Sequence, residues 1–134
     1  MPLAIEPLHP LYAAERACVN TLAQAIDLCD VLGDNVGVAI DTYNVWWNPQ
    51  LDAQIARAGI GNRILAYHIC DWLVPTRNFF LDRGMMDDGI IDLPGIRRAV
   101  ENAGYRGYAG VEIFSANIGD QARRRGAANM HRAI

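Results

Sequence analysis

Four short apolar runs punctuate this chain, and each stops at, or is broken near its end by, a side chain able to hold charge or metal. Leu3-Ala4-Ile5 ends at Glu6, Val36-Gly37-Val38-Ala39-Ile40 ends at Asp41, Ile64 to Ile69 is broken by His68, and Tyr108-Ala109-Gly110-Val111 ends at Glu112. The runs hardly alternate between apolar and polar residues, as expected for strands covered on both faces of a parallel sheet. Between them the period lengthens. From Ala13 to Leu32 apolar residues recur every three or four positions (Ala17, Leu22, Ala25, Ile26, Cys29), which predicts an amphipathic helix closed by Gly33. Leu51 to Ala58 predicts a second helix ending at Gly59 and Gly61. A third spans Pro94 to Ala103, with Pro94 in its first turn and Gly104 as its stop.

The predicted order is therefore β-α-β-α-β-α-β. Intervals of 35, 27 and 44 residues separate Glu6, Asp41, His68 and Glu112, each enough for a right-handed crossover through a helix. Pro7-Leu8-His9-Pro10 cannot continue a strand and is read as a loop. Thr42 to Pro49 is an aromatic loop suited to walling a pocket, and Asp71 to Gly89 is a long connection of the kind that often binds ligands. Tyr67, one position before His68, should face the other side of its strand and pack.

Composition narrows the class. The 134 residues are 51% hydrophobic and 20% charged, which fits one globular domain. Net charge is −3, and the basic residues are scattered until Arg123-Arg124-Arg125, which argues against a nucleic-acid surface. Cys18, Cys29 and Cys70 form no C-x-x-C pair and read as reduced thiols, so no metal site is built from them. No basic leader opens the chain and no apolar run approaches the ~20 residues of a membrane span. A soluble, cytoplasmic protein is expected, with no membrane partner.

Parallel strands end on one side of a sheet, where α/β proteins place their ligands, so Glu6, Asp41, His68 and Glu112 are expected to converge there. Such a set suits a divalent ion, Mn²⁺, Mg²⁺ or Co²⁺, with Zn²⁺ also possible. Each residue also has a plainer reading. A strand-end Asp or Glu often caps a helix or sits on the surface, a lone His often lies in the core, and Trp46, Trp47 and Trp72 can simply pack helices onto the sheet. Repetition across four strands favours the metal.

The segments Ile5-Glu6-Pro7-Leu8-His9-Pro10, Asp41 to Trp47, His68 to Trp72, Asp82-Arg83-Gly84-Met85-Met86 and Val111 to Ser115 together resemble the sugar phosphate isomerase/epimerase family of xylose-isomerase-like TIM barrels. The resemblance implies an α/β fold, a partial (β/α)8 barrel of about four parallel strands over residues 1–115, followed by a divergent tail at 116–134. It implies a divalent metal held by Glu6, Asp41, His68 and Glu112, with Glu6 and Glu112 also moving the substrate proton. Arg83 would steady substrate oxygens, joined by Asn44, His9, Trp46 and Trp72. The activity implied is metal-dependent isomerisation or epimerisation of a sugar or inositol-derived ketone, by proton transfer next to a carbonyl.

The chain departs from the family in places. Asn44 stands where members usually carry a substrate-contacting His, and Asn cannot shuttle a proton near neutral pH. Asp87 stands where a glycine is expected, a costlier occupant if that position needs positive φ. A complete barrel takes ~250 residues, and a half-sheet would leave both edges open. The expectation is a truncated remnant, or a half-barrel that pairs with itself or with a complementary chain. The competing functional reading is a non-catalytic remnant serving as a binding or assembly subunit. A phosphodiesterase of the endonuclease-IV type is weaker, because only His9, His68 and His131 are available for a multinuclear site.

Overall fold

We describe residues 1–116 in a computed structural model of the chain. Four strands, β1 (Leu3–Ile5), β2 (Val36–Asp41), β3 (Ile64–Ile69) and β6 (Ala109–Val111), form one sheet in the order β1-β2-β3-β6, and every pairing is parallel. Three helices cross between them: α1 (Leu22–Leu32), α3 (Leu51–Ile60) and α4 (Leu93–Asn102). Leu22, Ala25, Ile26 and Cys29 of α1, Ile55 and Ala58 of α3, and Ile96 and Val100 of α4 meet Val38, Ile40 and Tyr67 of the sheet in one buried cluster. Burial of that apolar surface is the main stabilising term. The topology is that of a partial α/β barrel. Tyr67 packs as its strand parity requires, edge-on to the ring of Tyr105.

Local chemistry explains where the elements differ from the pattern. Helix α1 starts at Leu22 rather than Ala13. Thr21 accepts from the Gln24 N–H while the Gln24 side chain accepts from the Thr21 N–H, a reciprocal cap worth about 1 kcal/mol that fixes the first turn. Upstream, Pro10–Tyr12 forms a single 3₁₀ turn, and the chain folds back through the Leu8 N–H to Val19 carbonyl bond. Gly33 closes α1 at φ 96°, as its position predicted. The aromatic loop after β2 contains a four-residue helix, α2 (Thr42–Val45).

The long connection after β3 is ordered by a short antiparallel pair, β4 (Asp71–Trp72) with β5 (Arg83–Gly84). Asp71, 1% exposed, accepts hydrogen bonds from the backbone N–H groups of Trp72, Gly89 and Ile91 and so ties the returning chain to β4. Asp87 within this loop does take positive φ, 74°, the conformation for which glycine would be the cheaper residue.

Both end strands of the sheet have an unpaired edge among the described residues, and Leu3 and Val111 there are 61% and 55% exposed. The tail that the sequence sets apart lies, from residue 117 onward, outside the described residues.

A side chain at Gly89 would drive its Cβ into the Trp72 carbonyl and the Asp71 carboxylate. Gly89→Ala should therefore lower stability by about 2 kcal/mol. Urea unfolding followed by circular dichroism checks this, and an unchanged midpoint would contradict it.

Candidate metal centre

The parallel sheet brings the strand ends to one rim. Asp41 and His68 are register partners across β2 and β3, and His68 pairs in turn with Gly110 on β6. Gly110 makes room for the imidazole, since a Cβ there would stand 3.3 Å from His68 Cδ2. Ligand-type atoms of Glu6, His68 and Glu112 all lie within 4.8 Å of one another, and the three side chains are half-buried.

The atoms in this group are poorly satisfied. His68 Nδ1 stands 3.0 Å from Glu112 Oε2, yet neither of these solvent-shielded atoms makes a well-directed hydrogen bond. The buried Nε of Arg83 has no partner either. Buried polar atoms in native proteins rarely go unmatched, so these neighbouring atoms, which face one another as an ion pair, leave capacity for a further partner. Two acidic oxygens and an imidazole nitrogen at this spacing fit a divalent cation.

Asp41 is placed differently from the other three. It is fully buried, and its Oδ1 accepts from the Tyr43 N–H, capping α2. Its Oδ2 accepts from Arg83 Nη1 at 2.9 Å and from Asn44 Nδ2 at 3.0 Å. The helix-cap reading of this residue thus coexists with its position at the rim. Asp41 does not share the 4.8 Å cluster.

Arg83 is 4% exposed and reaches inward to the rim. Its guanidinium lies over the rings of Tyr43 and Phe114, and Nη1 also reaches the Glu112 carbonyl at 3.3 Å. Burial disfavours its charge, yet its pKa is raised overall, with the Asp41 carboxylate the largest opposing influence. Periodicity gave no hint of this role, because Arg83 sits in a two-residue strand whose partner is 11 residues away.

Charge crowding shows in the carboxyl groups. Burial raises the pKa of Glu6, and the nearby Asp41 and Glu112 raise it further, with His68 and Arg83 working the other way. Burial likewise raises that of Asp41, opposed by Arg83. Burial pushes the Cys70 thiol, 3.9 Å from Arg83, up to about 12, so it stays protonated.

The aromatic residues are mutually packed. Trp72 stacks between His9, at 5.0 Å, and Tyr43, at 4.6 Å, and tilts against Trp46. Trp46 also borders a cleft of about 890 Å³ between α3 and α4, which includes none of the candidate metal ligands. His9 Nδ1 accepts from the Leu11 N–H, so the neutral ring keeps its proton on Nε2. Burial lowers its pKa accordingly. Asn44 is fully buried and bonded to Glu6 as well as Asp41. No described helix is long and apolar enough to cross a membrane.

Comparison with solved structures places this rim in context. Protein SMc04130 from Sinorhizobium meliloti 1021 is 67% identical, with a TM-score of 0.86 over 88% of this chain and 43% of its own. An IolI protein with a bound zinc atom is 26% identical, with a TM-score of 0.72 over 87% of this chain and 41% of its own. The family 2 AP endonuclease from Brucella melitensis, 23% identical, shares the fold with a TM-score of 0.68 over 87% and 42%. The chain thus spans about two fifths of the length of these proteins. No curated protein matches it. The family described as xylose isomerase-like TIM barrel matches over residues 1–133, and the chain belongs to that family.

Proposed function

We propose that this chain supplies the metal-binding half of a sugar or inositol-derivative isomerase or epimerase. The observation behind this reading is the convergence of Glu6, His68 and Glu112 within 4.8 Å around unsatisfied polar atoms. Membership in the family and the zinc of the IolI protein support it.

In this reading Glu6, His68 and Glu112 hold a divalent cation with Asp41 beside them, and Mn²⁺, Mg²⁺, Co²⁺ and Zn²⁺ are the candidates. The ion, when bound, would polarise the substrate carbonyl and lower the acidity barrier at the neighbouring carbon. Glu6 and Glu112 directly follow strands β1 and β6, at opposite ends of the sheet order, so one can take a proton from the substrate carbon while the other returns one. Return to the opposite face inverts the centre, and return to the adjacent carbon isomerises it. Arg83 keeps Asp41 and the Glu112 backbone in place, its unpartnered Nε left for a further acceptor. His9, with its Nε2–H, and the Trp72 ring offer polar and apolar contacts to a small polyol ketone. Three free cysteines support a reducing, cytoplasmic setting.

A second reading rests on the open edges of β1 and β6. Exposed Leu3 and Val111 beside unpaired backbone favour completion of the sheet by further strands, from a second copy or a complementary chain. The isolated chain should then elute as a dimer or larger species in size-exclusion chromatography with light scattering, and a stable folded monomer would contradict this.

Stripped of metal and titrated with Mn²⁺ or Co²⁺ in a calorimeter, the protein should take up one ion per site, and His68→Ala or Glu112→Gln should weaken uptake at least about tenfold. Solvent deuterium should enter a ketose or inosose-type ketone with the parent chain and not with Glu112→Gln. Failure to bind any divalent ion would remove the enzyme reading.

Protons compete with the cation for Glu6. Because its pKa is raised in the metal-free site, that competition begins at a higher pH than at an ordinary carboxylate, and affinity falls as pH is lowered. Calorimetry between roughly pH 4.5 and 7 should show the decline, and Glu6→Gln should remove that part of the dependence while binding more weakly throughout.

A further inference from the structure

Asn44 is fully buried beneath the rim, and its amide is fully engaged. Nδ2 donates to Glu6 Oε1 at 2.9 Å and to Asp41 Oδ2 at 3.0 Å, while Oδ1 accepts from the His9 N–H at 3.2 Å. Its backbone carbonyl takes the indole N–H of Trp47 at 2.8 Å. The amide has only one workable orientation. Turned over, it would set its oxygen against two carboxylates and its nitrogen against an N–H.

We propose that Asn44 is a positioning residue that sets the spacing of the Glu6 and Asp41 carboxylates, and through Glu6 the geometry of the cation site. The inference rests on the metal reading above. Glu6 directly follows β1 and Asp41 ends β2, and two carboxylates brought to one amide nitrogen carry like charges that repel. One NH₂ group supplies a proton to each and so joins the two strand ends without adding charge. It also holds the His9 backbone, and therefore the loop after β1, in the same network. A carboxylate at position 44 could donate to neither, and a side chain without a donor would leave both carboxylates to move apart.

The full 134-residue chain, stripped of metal, is titrated with Co²⁺, and its visible absorption bands, which report ligand geometry, are recorded beside the calorimetric affinity. Asn44→Ala should shift the bands and weaken binding about tenfold. Asn44→Asp keeps the shape, replaces the donor with an acceptor and should shift the bands too. Should Asn44→Ala fail to fold by circular dichroism, Asn44→Asp alone decides. A purely structural asparagine would lower stability in both variants yet leave the cobalt bands and affinity of the folded protein as in the parent, and that result overturns the proposal. If the parent chain takes up no cobalt, this inference falls together with the metal reading, whereas a parent that binds cobalt with unaffected variants refutes this inference only.

Discussion

Like charge gathered at one rim is the constraint that organises the molecule. Glu6, Asp41 and Glu112 stand at the ends of three strands and face the same rim, Asp41 buried and the two glutamates half-buried. The Arg83 guanidinium and the Asn44 amide hold one oxygen of Asp41, and the Tyr43 N–H holds the other. Burial is the main reason the pKa values of Glu6 and Asp41 are raised, and for Glu6 the neighbouring carboxylates add to it. A folded protein keeps such a cluster when something else repays it. Here the apolar packing of three helices against the sheet provides the stability, and a cation at the rim would remove much of the repulsion.

The fold was largely legible in the chain because parallel strands buried on both faces leave unmistakable apolar runs. Their ends located Glu6, Asp41, His68 and Glu112, and the structure brings three of these within ligand distance of one another. The start of α1 was misplaced because three- and four-residue apolar spacing continued upstream of Thr21, whereas the reciprocal bond with Gln24 sets the first turn. The sequence did contain that signal, a Thr followed three positions later by Gln. The inward reach of Arg83 was not legible. It depends on Tyr43 and Phe114, distant along the chain, forming an aromatic slot around the guanidinium. Asn44 stood out in the chain as a substrate contact, but its bridge between Glu6 and Asp41 did not, because a buried amide is told from an exposed one only by what surrounds it.

Asp71 illustrates how the connection after β3 is built without regular structure. Its two oxygens take three backbone N–H groups, one from the neighbouring Trp72 and two from the chain returning at Gly89 and Ile91, a substitute for strand or helix hydrogen bonding. The same loop tolerates Asp87 at positive φ, an unfavourable local choice that the surrounding contacts outweigh. Trp72 follows Asp71 directly and lies between His9 and Tyr43, so the ordering of this loop and the ordering of the aromatic wall are one event.

All the rim residues lie on or next to strands that are neighbours in the sheet, β1 through β6. New strand–helix units laid alongside β1 or β6 would keep the same polarity and leave the interior of this array untouched. Extension at either flank would therefore leave the side chains gathered at the centre where they are.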